Sequence, residues 1–374
     1  MERRFVSAAL LGALLVTGCS SPPESPPAAE APAPPAPGPA ASTPGFSVVA
    51  TGDVLVHPAL TEQAEADGGG KIDFRPQFDG VKPVVSGADL GLCHLEVPLA
   101  DPGGPYSGYP SFNAPPEIAG ALKDTGYDAC STASNHTLDQ GEDGVKRTLD
   151  GLDAAELKHT GSARSSKEAG TPLVLDAAGT KVGHVSFTFG FNGIELPEGK
   201  PWMSNTLDAA DVVAAARKTR EAGAEVVIAS LHWGTEYRSE PTKEQTSLAK
   251  KLLEDDSIDL IIGHHAHVVQ PFEKIGSKWV AYGLGNHIAK HSEPRGTTEE
   301  GVAARFHFTK DASGWKVDKA EYVPTLVELG PPIRLQDATA ASTPRQKEAL
   351  ARTDEVVLSR NAAEDGLTRP GAAR

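Results

Sequence analysis

The sequence places carboxylate, amide and imidazole side chains directly after five short apolar runs. Each run contains few polar residues, as expected of a strand that is covered on both faces. In an open α/β sheet the ligand site lies beyond the carboxyl ends of the strands, so side chains from separate runs would meet there. These side chains are Asp53 and His57, His94 and Glu96, Asn135 and His136, His232, and His264, His265 and His267.

These residue types suit divalent metal ions. Imidazole, carboxylate and amide groups bind Mn, Fe or Zn, and no thiolate is needed. Six or seven ligands exceed what one tetrahedral ion uses, whereas a pair of ions about 3.5–4 Å apart, bridged by a carboxylate, would use them all. Such a pair lowers the pKa of a bound water and binds the oxygens of a hydrolytic transition state. The pattern therefore predicts a centre with two divalent ions.

Three histidines leave alternatives open. His57 follows Asp53 by four residues and is a metal ligand, a substrate contact or neither. His264 could replace His265 as a ligand, but the H-x-H spacing of His265 and His267 favours His265. His94 lies two residues before Glu96, and we interpret it as a hydrogen-bond partner of that carboxylate rather than as a ligand.

The elements that position these residues alternate between strand and helix from residue 46 onward. Repetition of strand and helix predicts an α/β sheet with right-handed crossovers. After residue 300 the pattern changes to antiparallel strands. Strands are predicted at 46–50, 88–92, 127–131, 224–230, 258–263 and 278–285, and helices near 115–125, 140–156, 208–222, 242–255 and 345–359.

The N-terminal residues predict export. Arg3 and Arg4 precede an apolar stretch at 5–16 that is too short to span a bilayer. The segment 16–19, VTGC, resembles a bacterial lipobox, in which the cysteine is lipidated and becomes the mature N-terminus. We therefore expect a lipoprotein signal peptide at 1–18, lipidation of Cys19 and a Pro/Ala-rich tether at 19–45. The protein would be anchored on the extracytoplasmic face of the cell membrane.

Composition narrows the classes of partner. The chain has 35 Lys+Arg and 50 Asp+Glu among 374 residues, a formal net charge of −15. This balance argues against nucleic acid as a partner, because binding it normally requires a basic face. The three cysteines cannot form a disulfide framework. We interpret Cys93 and Cys130 as buried thiols on parallel strands, with a disulfide as the alternative.

Six motifs, in this order, resemble the CapA family of poly-γ-glutamate capsule synthesis proteins, within the calcineurin-like metallophosphoesterase superfamily. The motifs are TGDVLVH, CHLEVPL, STASNHTLDQG, LHWGTEY, LIIGHHAHVVQPFE and VAYGLGNH. The resemblance runs from about residue 46 to 329. It implies an α/β four-layer sandwich of two mixed β-sheets flanked by helices. We assign this domain to 46–335 and a C-terminal helix and polar tail to 336–374.

The resemblance also implies roles for individual residues. Asp53 would bind the first metal, and Glu96 would bridge both. His136 would protonate the leaving group or steady the transition state. The remaining ligands would be Asn135 and His232 on the second metal, with His265 and His267 divided between the two ions.

Several positions depart from the family pattern. His94 stands where the CapA branch commonly has Asn, and His287 stands where it commonly has Phe. Histidines outside the motifs are expected to be ordinary surface or packing residues; they are His159, His184, His291 and His307.

The resemblance implies a part in making or exporting poly-γ-glutamate or a similar envelope polymer, and the residues imply a metal-dependent hydrolase. Its substrate would be the polyanionic polymer or a small ester or amide. One alternative is a non-catalytic factor of a polymer-synthase or export complex, whose metals bind the carboxylates of the polymer. Another alternative is a metal enzyme that abstracts an α-proton, as in epimerisation.

Overall fold

The computed structural model describes residue 18 and residues 45–371. The predicted lipidation site Cys19 and nearly all of the predicted signal peptide and tether lie outside the described residues. Residues 45–371 lie in one compact unit. Within the described residues, no helix has the length and apolar character needed to cross a membrane.

Short strands alternate with helices through the first two thirds of this unit, and long antiparallel strands follow. The strands are β1 Gly45–Val54, β2 Leu90–Leu95, β3 Ala129–Ser131, β4 Lys158–Thr160, β5 Leu173–Ala177, β6 Thr180–Thr188, β7 Val226–His232, β8 Leu260–His264, β9 Phe272–Ile275, β10 Lys278–Ala281, β11 Asn286–Ile288, β12 Glu300–Asp311, β13 Gly314–Glu328, β14 Arg334–Asp337 and β15 Leu367–Thr368. The helices are α1 Pro58–Asp67, α2 Arg75–Phe78, α3 Lys82–Ser86, α4 Glu117–Thr125, α5 Gly141–Ala154, α6 Ser166–Ala169, α7 Ala209–Glu221, α8 Lys243–Leu253 and α9 Pro344–Val357, with a 3₁₀ turn at Pro201–Met203.

The strands of the described region form two mixed sheets. The first has the order β14-β13-β12-β1-β2-β3-β4, with β11 added beside β1 and β15 beside β13. In it β1, β2, β3 and β4 are parallel, whereas β12 is antiparallel to β1 and β13, and β13 is antiparallel to β14 but parallel to β15. The second has the order β5-β6-β7-β8-β10-β9 and is parallel except at its two edges.

Alternating side chains divide the apolar core into layers. Val48 and Ala50 of β1 pack between the two sheets with Ile262 of β8, whereas Val49 faces the helices on the outside of the first sheet. On the outside of the second sheet, α7 and α8 pack through residues such as Val212. Strands buried on both faces explain the continuous apolar runs. The expected fold, two mixed sheets flanked by helices, is confirmed.

The C-terminal segment is more closely integrated than its composition indicates. Strands β14 and β15 both pair with β13. Val357 and Leu367 are buried in the core between the sheets, and Arg345 and Arg352 pair with the buried carboxylate of Glu300. Strands β14 and β15 therefore extend the first sheet, and α9 occupies the position of the predicted C-terminal helix.

Cys93 and Cys130 form a disulfide. The interpretation of these residues as buried thiols is wrong, because the parallel register of β2 and β3 places them opposite each other with Cα atoms 4.4 Å apart. That separation is within the range of disulfides. The bond ties together the two strands that lead to Glu96 and Asn135.

We expect the double substitution Cys93→Ala/Cys130→Ala to lower the free energy of unfolding by about 3–4 kcal/mol, because a cross-link spanning this much sequence restricts the unfolded chain. The measurement is urea unfolding followed by circular dichroism. The parent protein in reductant should show the same loss, and the double variant should not respond to reductant. Coincident urea-unfolding curves for the parent and the double variant without reductant would contradict the Cys93–Cys130 disulfide.

A buried histidine makes the fold sensitive to acid. His287 on β11 is fully buried, with Nε2 2.8 Å from the hydroxyl of Tyr127, and its Nδ1 has no hydrogen-bond partner among the described residues. Burial lowers the pKa of His287 to about 3. A folded-state pKa below the unfolded value of 6.5 means that stability is lost as the pH falls below about 6.5.

The substitution His287→Phe should therefore reduce the loss of unfolding free energy between pH 7 and pH 5 by about 2 kcal/mol. Urea unfolding at the two pH values measures this difference. The control is Ile194→Ala, since Ile194 is exposed and carries no titratable group; its acid sensitivity should equal that of the parent. Equal acid sensitivity of the His287→Phe variant and the parent would show that buried His287 does not cause the loss of stability in acid.

Candidate metal centre

Chemistry-bearing residues from both sheets come together at the carboxyl ends of their parallel strands. Asp53 lies near the end of β1, and Glu96 directly follows β2. His232 is the last residue of β7, and His264 is the last residue of β8. Since β1 and β2 belong to the first sheet and β7 and β8 to the second, the site lies where the two sheets meet.

Asp53 connects β1 to the segment after β8. Its Oδ1 lies 3.1 Å from Nδ1 of His264, and its Oδ2 accepts the backbone N–H of His265 at 3.1 Å. Nδ1 of His267 is 3.4 Å from the same Oδ2. Burial alone would raise the pKa of Asp53, but the hydrogen bonds from His264 and His267 hold it well below its usual value. The carboxylate is therefore ionised.

His265 and His267 adopt left-handed backbone conformations, with φ of 89° and 56°. Such conformations cost of order 1–3 kcal/mol for residues other than glycine. This tight turn brings His264, His265 and His267 close to the carboxylates of Asp53 and Glu96. The hydrogen bond that the His265 backbone N–H donates to Asp53 stabilises the turn. Strain of this kind is typical of functional segments.

Glu96 is buried, and neither of its carboxylate oxygens has a hydrogen-bond partner among the described residues. Its Oε1 is 3.7 Å from Nε2 of His267 and 3.9 Å from Nε2 of His232. Burial raises the pKa of Glu96 well above its usual value. Buried polar groups are normally paired, so these two oxygens need a partner that the described residues do not provide. A divalent cation fits this requirement.

The charged groups around Glu96 also favour a cation at this position. Burial alone would lower the pKa of His267, but the carboxylates of Glu96 and Asp53 raise it to about 10. The two carboxylates thus favour positive charge between them. Ligand atoms of Asp53, Glu96 and His267 all lie within 4.8 Å of one another. His265, His267 and Glu236 form a second such group.

Asn135 and His232 form the other side of the site. Oδ1 of Asn135 lies 2.9 Å from Nε2 of His232, so two potential ligand atoms are already adjacent. The Nδ2 group of Asn135 donates to Oδ1 of Asn192 at 3.1 Å, which leaves the Asn135 carbonyl directed at His232. Burial lowers the pKa of His232 well below its usual value, so the imidazole is neutral, as ligation requires.

His94 does not contact Glu96 as expected. Its Nε2 lies 3.0 Å from Nδ1 of His232, and its Nδ1 lies 2.8 Å from Oγ of Ser131. The reason is the strand register, which places His94 opposite Ser131 of β3. His94 therefore orients the ring of His232, and its own ring stacks at 4.0 Å on that of His264.

His136 and His57 lie beside this cluster. Nδ1 of His136 is 2.7 Å from Oδ2 of Asp139, and its ring contacts Phe112 edge to face. Nδ1 of His57 lies 3.1 Å from the carbonyl oxygen of Leu55 and 3.3 Å from the backbone nitrogen of Lys290. Backbone contacts thus occupy Nδ1 of His57 and leave Nε2 for any ligand.

Residues 47–291 match the sequence profile described as "Bacterial capsule synthesis protein PGA_cap". This match covers well over half of the chain. The chain belongs to the PGA_cap family.

Two curated relatives are similar to this PGA_cap chain. The capsule biosynthesis protein CapA of Bacillus anthracis is 27% identical over 224 residues, which cover 59% of this chain and 53% of that protein. The PGA biosynthesis protein CapA of Bacillus subtilis is 29% identical over 207 residues, which cover 53% and 51%. The chain thus spans about half the length of these relatives.

Solved structures with similar folds include two phosphatase-like proteins. The calcineurin-like phosphoesterase YfkN of Bacillus subtilis aligns with a TM-score of 0.44 and 15% identity, over 83% of this chain and 97% of that one. A phosphatase of Mycoplasma pneumoniae aligns with a TM-score of 0.46 and 14% identity, over 82% and 97%.

Two residues of this PGA_cap chain that the sequence analysis did not assign to the site, Asn286 and His291, lie next to His267. Asn286 accepts a hydrogen bond from His267 Nδ1 at 2.9 Å and contacts His291 through its Nδ2 at 3.2 Å. His291, expected to be a surface or packing histidine, packs with its ring 5.7 Å from that of His267, because the segment after β11 returns to the site. Asp139 lies in the STASNHTLDQG motif, three residues after His136. This spacing could have indicated the His136–Asp139 hydrogen bond.

If Glu96 bridges two ions, as the family resemblance implies, the substitution Glu96→Gln should lower bound metal from about two equivalents per chain to less than half of that, because it removes the charge of the carboxylate. Elemental analysis of protein purified without chelator measures the content. The control is Glu321→Gln, a buried carboxylate that pairs with Lys319 and His307 outside the site. Equal metal content in the two variants would contradict a bridging Glu96.

Proposed function

We propose that this chain is an exported, lipid-anchored hydrolase that uses two divalent metal ions to cleave a bond in poly-γ-glutamate or a similar anionic envelope polymer. Membership of the PGA_cap family supports the link to capsule polymers. The printed names of its relatives, capsule biosynthesis protein and PGA biosynthesis protein, support the same context.

The observation that carries the catalytic proposal is the pair of unpartnered oxygens on buried Glu96. A site that only held a carboxylate in place would pair these oxygens with N–H or O–H donors. Instead, imidazole nitrogens lie 3.7 and 3.9 Å away, too far for hydrogen bonds. This arrangement supports a bridging role.

The residues that would hold the two ions come from four strand ends and one turn. They are Asp53, Glu96, Asn135, His232, His265 and His267. His94 keeps the ring of His232 in place, and Asn286 does the same for His267. When bound, such a pair lowers the pKa of a coordinated water and neutralises charge on the substrate.

His136 is positioned to move a proton. The carboxylate of Asp139 can only accept, so Nδ1 of His136 donates to it and Nε2 is the atom that exchanges a proton with substrate. The backbone N–H of Phe112 donates to the same Asp139 oxygen at 2.8 Å and holds the carboxylate in place. This pair resembles the base and orienting group of many hydrolases.

Two features support an extracytoplasmic location. The lipobox-like segment at 16–19 predicts lipidation at Cys19, and the Cys93–Cys130 disulfide is typical of proteins in an oxidising compartment. A tether at 19–45 would hold the catalytic unit away from the membrane surface, where a growing polymer emerges.

The substitution His136→Ala should lower kcat about 10²–10⁴-fold while metal content stays at the parent level, because His136 transfers a proton but holds no ion. Asp139→Asn should lower kcat as well, since an amide no longer fixes the tautomer. Activity is measured with γ-glutamyl amide oligomers and with phosphoesters. His159→Gln, which disrupts another His–Asp pair outside the site, is the control and should keep full kcat.

Other outcomes identify the alternatives. Absence of turnover with every substrate, together with metal-dependent binding of polymer, would replace the hydrolase with an assembly factor. Exchange of the α-proton with solvent deuterium, without chain cleavage, would indicate epimerisation instead.

A further inference from the structure

Arg295 is an exposed cation beside the candidate metal centre. Its guanidinium carbon lies 4.0 Å from the centroid of the Tyr237 ring, a stacked cation–π arrangement. Within the described residues, the salt bridges do not include Arg295. Ten other arginines of the described residues form salt bridges, for example Arg220 with Asp259 and Arg352 with Glu300, whereas Arg238 and Arg305 do not.

Tyr237, whose ring lies beneath Arg295, is hydrogen-bonded to the segment that carries the candidate metal ligands. The backbone N–H of Tyr237 donates to the carbonyl oxygen of Ala266, between His265 and His267, at 2.7 Å. The Tyr237 ring centroid lies 6.0 Å from that of His267. The Tyr237 ring therefore lies between the Arg295 guanidinium and His267, a proposed metal ligand.

The segment that carries Arg295 is also attached to the site. The backbone nitrogen of Lys290 contacts His57, and His291 packs against both His57 and Tyr237. The backbone N–H of Arg295 itself contacts Oγ1 of Thr298 at 3.4 Å. A guanidinium that lies over an aromatic ring can still direct its N–H donors at a planar carboxylate.

The surrounding charge makes this cation significant. The site holds the carboxylates of Asp53 and Glu96, and Glu236 is grouped with His265 and His267 rather than paired with Arg295. In a chain of net charge −15, an anionic substrate needs a local positive partner besides any metal. Arg295 is free to provide it.

We propose that Arg295 is a specificity residue, which binds a carboxylate of the polymer next to the bond that reacts at the metal centre. This inference rests on the proposed function, since it takes the carboxylate-bearing polymer as the substrate. The planar guanidinium of Arg295 can donate two parallel hydrogen bonds to one carboxylate, and its contact with the Tyr237 ring restricts its orientation.

The test measures binding by fluorescence anisotropy, with the full-length chain and a labelled oligomer of γ-linked glutamate, with and without Mn²⁺. Arg295→Gln should weaken binding about 10–100-fold, as expected for loss of a charged, bidentate contact. The control Arg217→Gln removes the same charge from an arginine that is exposed and paired with Asp255, and it should bind like the parent. Arg295→Lys should recover only part of the loss, because it keeps the charge without the fork.

Two further oligomers define the chemistry. The same oligomer with its α-carboxyl groups amidated should bind the parent as weakly as the glutamate oligomer binds Arg295→Gln. The inference fails if Arg295→Gln and Arg217→Gln bind the glutamate oligomer equally, or if the parent binds the amidated oligomer equally well. It fails too if an oligomer of glycerol phosphate binds more tightly in an Arg295-dependent manner.

Binding and turnover separate this inference from the proposed function. Arg295-dependent binding without turnover of any substrate would support the carboxylate contact and reject the hydrolase. Turnover of the glutamate oligomer with an unchanged KM in Arg295→Gln would support the hydrolase and reject the contact.

Discussion

Two buried carboxylates, Asp53 and Glu96, set the electrostatic requirement that the rest of the site meets. An ionised carboxylate in an apolar interior is costly unless donors or cations surround it. Asp53 receives them from His264, His267 and the His265 amide. Glu96 has no such donors, so its oxygens remain for an external cation.

The strand ends that deliver these groups stay in place because the two sheets share one apolar core. Alternate residues of β1 and β8 pack between the sheets, and helices cover both outer faces. This packing supports the left-handed turns at His265 and His267, which a flexible loop would not maintain. The disulfide joins β2 to β3 directly before the residues that enter the site.

Burial also prepares the histidines for ligation. It lowers the pKa of His94 and His232 well below the usual value, so both rings are neutral at physiological pH. Their chain of contacts, from Ser131 through His94 to His232 and Asn135, leaves little rotational freedom. A ligand set held in this way binds a metal without a large cost in side-chain entropy.

The sequence by itself determined the α/β class, the main strands and helices, and the residue types of the site, because buried parallel strands read as apolar runs and polar groups follow them. It did not indicate β5 and β6, since the run at 180–188 is interrupted by Gly183 and His184. Two contacts could not be predicted from the sequence: strand register decided the Cys93–Cys130 disulfide, and the packing of the two sheets decided the contact of His94 with His232. Only tertiary structure brought Asn286, His291 and Arg295 to the site. Asn286 belongs to the VAYGLGNH motif, but its contact with His267 joins residues 19 positions apart, and His291 and Arg295 lie after that motif in a segment that returns to the site.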